Sequence, residues 1–117
     1  MEKIMERDLT LFPENNTGDT LWKMLLAGDD LTQVRELQFS VIFAKYEQAL
    51  KFGNLLLENN QKLSLCTYQG DEQFPWEITA YPDVVPSYTN IAGYIDLLTN
   101  NSEEFSGKYD GWFYLPK

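Results

Sequence analysis

The hydrophobic pattern changes period along the chain, and the changes mark the elements. In "RELQFSVIF", Leu37, Phe39, Val41 and Phe43 alternate with Gln38 and Ser40. A period of two puts those four on one side of a strand and buries that side. Ile42 interrupts the polar row, which predicts that the second face is partly covered as well. "KYEQALKFGNLLLENN" then switches to helical spacing, with Ala49, Phe52, Gly53 and Leu56 on one face. A glycine inside a helix costs about 1 kcal/mol relative to alanine. Gly53 on the apolar face therefore predicts a close approach of helix to sheet. Asn59-Asn60 end this helix.

"KLSLCTY" and "PWEITAY" are two further strands, joined into a hairpin by the turn "QGDEQ". "PDVVPS" breaks the pattern. Ser87 caps a second long helix, on which Ile91, Tyr94, Ile95 and Leu98 follow helical spacing, and "NNSEEFSG" ends it. In the closing "KYDGWFYLPK", Asp-Gly between β-formers is a hairpin signal, yet too few residues follow Gly111 for a returning strand. The stretch reads as one strand, with Gly111 marking a bulge or a close backbone approach. Alternation places Tyr109 and Phe113 on one face and Asp110, Trp112 and Tyr114 on the other. Ahead of all this, "TGDTLWKMLLAG" is a short helix. Thr17 or Asp19 caps it, Leu21, Met24 and Leu25 share its apolar face, and Gly28 stops it in a left-handed conformation.

The order after that first helix is β-α-β-β-α-β. It predicts an α+β, ferredoxin-like sandwich: a four-stranded antiparallel sheet with two helices on one face, preceded by a short N-terminal helix. Residues 1–16 form an arm, with a helical turn over Met1 to Arg7, and 17–117 form one domain.

Composition narrows the function. Of 117 residues, 44% are hydrophobic and 15% aromatic, enough for a real core. No apolar run approaches the ~20 residues of a membrane span. The first residues mix acids with bases and do not resemble a secretion signal. The single cysteine, Cys66, cannot form an intramolecular disulfide, and in "LSLCTY" it is expected to pack as a small apolar side chain. Both features point to a reducing, cytoplasmic setting. Eighteen acids against nine bases give a net charge of −9. Such a surface repels phosphate backbones, so direct nucleic-acid binding is disfavoured. It suits a basic protein partner, or it serves solubility alone.

The inventory for catalysis is thin. No histidine is present, which removes the commonest general base and metal ligand. One cysteine rules out cysteine-based zinc clusters, "GDD" and "GDE" do not match a calcium loop, and no glycine-rich phosphate loop occurs. No cofactor or metal is implied. What remains are candidate contacts for a partner. Asp29 and Asp30 share a loop, as a solvated turn or an acidic contact. Arg35 and Glu36 open the first strand, where Arg35 is placed to clamp Asp29 or Asp30 with a guanidinium fork, structurally or for a partner. Asp110 and Trp112 close the set. Trp112 is either core under the N-terminal helix or, if exposed, an interaction anchor.

These stretches resemble the regulator of ribonuclease E activity B family. "FPENNTGDTLWKMLLAGDDLTQVRELQFSVIF" looks like the family's opening: Pro13, Gly18-Asp19, Gly28 with Asp30-Leu31, and Arg35-Glu36 before an aromatic-rich strand. "PWEIT" and "VVPSYTNIAGYIDLL" resemble its Trp-bearing strand and Pro-started helix, and "YDGW" its close. The chain departs from the family at Ser87-Tyr88, where Thr-His is usual, and in lacking a strongly acidic tail. The resemblance implies a ferredoxin-like fold and a non-enzymatic, protein-binding regulator that inhibits RNA cleavage by a ribonuclease, and the acidic charge fits docking on a basic segment of that enzyme. A monomer is expected rather than a homodimer. The alternative is an acidic antitoxin-like or immunity-type module with another basic protein partner; an enzyme is the weakest reading.

Overall fold

A computed structural model describes residues 6–115. Three helices lie against one face of a five-stranded sheet. In chain order the elements are α1 (Asn16–Leu26), β1 (Arg35–Phe43), α2 (Tyr46–Glu58), β2 (Leu63–Thr67), β3 (Trp76–Ala80), β4 (Asp83–Val84), α3 (Tyr88–Glu103) and β5 (Lys108–Tyr114).

The sheet is organised around β1, and its pairings are antiparallel. β5 runs along one side of β1. β3 and then β4 run along the other, and β2 pairs with the outer side of β3. β4 corrects the expectation of four strands. Prolines at 82 and 86 hide it in the sequence, because proline removes a ladder donor. Asp83 and Val84 nevertheless pair with Glu36 and Arg35 at the same offset that pairs Ala80 with Phe39. β4 thus continues β3 along β1, and the Leu37 amide donates to the Pro82 carbonyl between them at 3.0 Å.

One core lies between sheet and helices. Leu37, Phe39, Val41 and Phe43 enter it from β1, as alternation predicts, with Ile78 and Ala80 from β3. Ala49, Phe52 and Leu56 meet them from α2, Ile91, Tyr94 and Leu98 from α3, and Leu21 and Met24 from α1. Rings interlock at the centre: Phe39 packs on Tyr94 at 4.6 Å and Phe43 on Phe52 at 5.5 Å. Gly53 is the close approach its position implies. A Cβ there would lie 3.3 Å from side-chain carbons of Ile78 and Leu63.

Caps account for the helix ends. Ser87 accepts from the Asn90 amide at the start of α3, as expected. For α1 the cap is Asn15, whose side chain accepts from the Gly18 amide, rather than Thr17 or Asp19. Asp19 instead pairs with Arg7 at 2.7 Å. Glu6 and Arg7 are not helical; the rest of the expected N-terminal turn, Met1 to Met5, lies outside the described residues.

β5 corrects a second expectation. Gly111, at φ +148°, is the site of the anticipated irregularity. The register against β1 shifts between Ser40 and Val41, so Tyr109 pairs with Val41 while Trp112 pairs with Phe39. The bulge breaks strict alternation. It returns Tyr109 to the core face along with Trp112 and Tyr114, and Phe113 is left on the outer face, 53% exposed.

Candidate protein-binding site

The candidate contacts fall into separate places. Arg35 and Asp29 form an ion pair at 3.1 Å, with side chains only 8% and 13% exposed. Arg35 also donates to the Leu115 carbonyl and lies over the Tyr114 ring at 5.5 Å. One guanidinium thereby joins the loop after α1 to the end of β5. Asp30 is exposed beside it, and its carboxylate accepts the Thr32 amide at 2.9 Å, a local turn that shapes the loop. Glu36 accepts from Lys62 at 2.6 Å, with Asp83 3.8 Å from the same ammonium. The hydrogen bond to Glu36 is the main reason the Lys62 pKa is raised.

Asp110 and Trp112 point to opposite faces. Trp112 packs against the core under α1, and its indole N–H donates to the Thr17 hydroxyl at 3.2 Å. It therefore follows the core reading rather than the exposed one. Asp110 accepts from the Tyr68 hydroxyl at 2.9 Å, which raises the Tyr68 pKa. That contact spans the outer face from the β2 end to β5 and passes over β3 and β1. Ile42 is 1% exposed yet lies outside the main core. Next to it, Ser40 donates to Glu77 at 2.5 Å, and the Cys66 sulfur lies 3.6 Å from the same carboxylate. Cys66 is exposed, which corrects the expectation that it packs as an apolar side chain. Burial of the thiol, then the Glu77 carboxylate, raises its pKa, which disfavours the reactive thiolate.

The end of the molecule near Asp29 and Asp30 holds a feature that no single stretch of sequence announced. Residues 10–12 of the arm, α1, the 29–32 loop and the start of α3 enclose a groove of about 480 Å³. Arg7 ties the arm down by donating to the carbonyls of Phe12 at 2.8 Å and Pro13 at 2.7 Å. Asn15 donates to the Tyr88 hydroxyl at 2.9 Å, linking the arm to α3. Gly18 permits this packing, since a Cβ there would sit 1.8 Å from the Pro13 carbonyl oxygen. Among the described residues no three side chains come together as a metal site, and no helix is long and apolar enough to cross a membrane.

The model of one family, regulator of ribonuclease activity B, matches residues 14–113. The chain belongs to this family. The match runs from the loop before α1 to the last strand, so it takes in nearly all of the described fold. Family membership implies regulation of ribonuclease activity, and these regulators are non-catalytic inhibitors of ribonuclease E. No curated protein matches the chain as a close relative.

Proposed function

We propose that the chain binds a ribonuclease in the cytoplasm and lowers its cleavage of RNA by docking an acidic surface on a basic segment of that enzyme. The family match over residues 14–113 carries the reading. The charge supports it: at −9 the chain attracts a basic protein segment and repels RNA. Asp29, Asp30 and Arg35 form the docking end. Asp29 and Arg35 hold the loop there by pairing with each other, and Asp30 is its exposed carboxylate, while Glu36, Asp110 and Trp112 are held elsewhere by Lys62, Tyr68 and Thr17. The fold reading goes with it. With β4 taken as an extension of β3, the side-by-side order β2, β3, β1, β5 and the two long crossover helices favour a ferredoxin-like arrangement.

The test is a cleavage assay with purified ribonuclease E from the same cell and a labelled transcript. Excess chain slows cleavage, and added salt relieves the effect because exposed charges are screened. An unchanged rate at low salt, with no complex detected, refutes the proposal.

A further inference from the structure

The groove beside Asp29 and Asp30 has the chemistry of a binding site for an apolar side chain set among basic ones. Its walls include Leu11, Leu21, Leu25 and Leu31, and the charged residues lining it are Asp29 and Asp30, with no Lys or Arg among them. Lys23 of α1 stands two positions from both Leu21 and Leu25, about 200° round the helix from them. Leu11 is 58% exposed at the mouth. A volume of about 480 Å³ lies within the range that accepts a small ligand or a few side chains.

The geometry points to an occupant: a segment of a partner protein that inserts a large aliphatic or aromatic side chain between the leucines and sets neighbouring Lys or Arg toward the exposed rim at Asp30, the Asp29 carboxylate being held by Arg35. This rests on the reading of the chain as a ribonuclease-binding regulator and adds where and what it binds. The chain's net charge of −9, with no Lys or Arg lining the groove, selects a basic segment over an acidic or neutral one. The walls are built in advance. The Arg7 bonds to the arm, the Asn15–Tyr88 bond and the Arg35–Asp29 pair fix the segments that form them. A preformed groove loses little order on binding, so a short insertion yields useful affinity.

The experiment uses labelled peptides tiled across the basic segments of the cell's own ribonuclease E, titrated with the full chain. Two variants alter exposed groove residues, Leu11→Glu and Asp30→Lys. A control, Leu97→Glu, changes a leucine of α3 that is 54% exposed and does not line the groove. Circular dichroism confirms folding of each. The expected result is binding of a peptide with an apolar residue among basic ones, weakened about tenfold or more by Leu11→Glu and severalfold by Asp30→Lys. Leu97→Glu should stay within about twofold of wild type. Equal binding by wild type and Leu11→Glu overturns the groove and leaves the proposed function standing. So does binding of the intact ribonuclease with no peptide bound. A dimer of the chain that Leu11→Glu dissolves also overturns it, by assigning the groove to a second copy. If neither peptides nor ribonuclease bind wild type, the proposed function fails first.

Discussion

The two faces of the sheet are built on opposite principles. The helix-covered face is aromatic and aliphatic, and its residues are buried to 1% exposure or less at Phe39, Val41, Phe43 and Ile78. The outer face is polar and self-satisfied. Ser40, Glu77 and Cys66 bond among themselves, Ser64 bonds Tyr81 at 2.8 Å, Tyr68 donates to Asp110, and Ile42 is only 1% exposed. An open sheet in a small α+β domain invites the idea of a docking platform. This one has used its polar groups on itself, and its exposed apolar area is mainly Phe113. The groove end, with leucines and carboxylates side by side, is the surface we propose for the partner.

Substitutions sharpen the contrast. Phe39→Ala on the covered face removes a ring packed on Tyr94 and Trp112 and should destabilise by about 3–5 kcal/mol in urea unfolding. Arg35→Ala leaves Asp29 partly buried without its guanidinium and releases the Leu115 carbonyl. A loss of about 2 kcal/mol is expected, with the 29–32 loop loosened in amide exchange. Tyr94→Phe gives up the hydroxyl bond to Gln61 at 3.0 Å, about 1 kcal/mol near neutral pH.

The same tyrosine sets an alkaline limit. Burial raises the Tyr94 pKa to about 12 and pushes Tyr109 up further. A raised pKa on a phenol means that the folded state holds the proton more tightly than the unfolded one. This stability is fully present below the ordinary pKa of 10.0 and is lost as pH rises from 10.0 to about 12. Urea midpoints should fall across that window, and less steeply in Tyr94→Phe. At the bottom of the scale, Cys66→Ser on the outer face should change stability by less than about 0.5 kcal/mol. A large loss there would mean that the outer face carries more of the fold than its polar contacts indicate.

Much of the fold was legible because burial and period coincide. β1, α2 and the hairpin of β2 and β3 follow the alternation and helical spacing of their own residues, and Gly111 signalled its bulge. The direction of the bulge was not legible, because whether Tyr109 or Asp110 faces inward depends on register against Ser40 and Val41 in a distant strand. β4 was masked by flanking prolines and shows only through its pairing to β1. Cys66 looked apolar in an apolar strand, yet it falls on the polar face that strict alternation assigns to Ser64. The Arg35–Asp29 pair was foreseen as one of two pairings. The groove was out of reach of sequence reasoning, since its walls come from four separate segments and the bonds of Arg7 and Asn15 that join them have no local pattern.

The central claim is that the chain meets its ribonuclease at the groove end and leaves the outer face of the sheet free. Hydrogen exchange of the chain, alone and saturated with purified ribonuclease E, reads this directly. Slower exchange confined to amides of residues 10–12, 29–32 and 87–91 is the result expected. Protection centred on 64–68 and 77–81, with the groove segments unchanged, would contradict it.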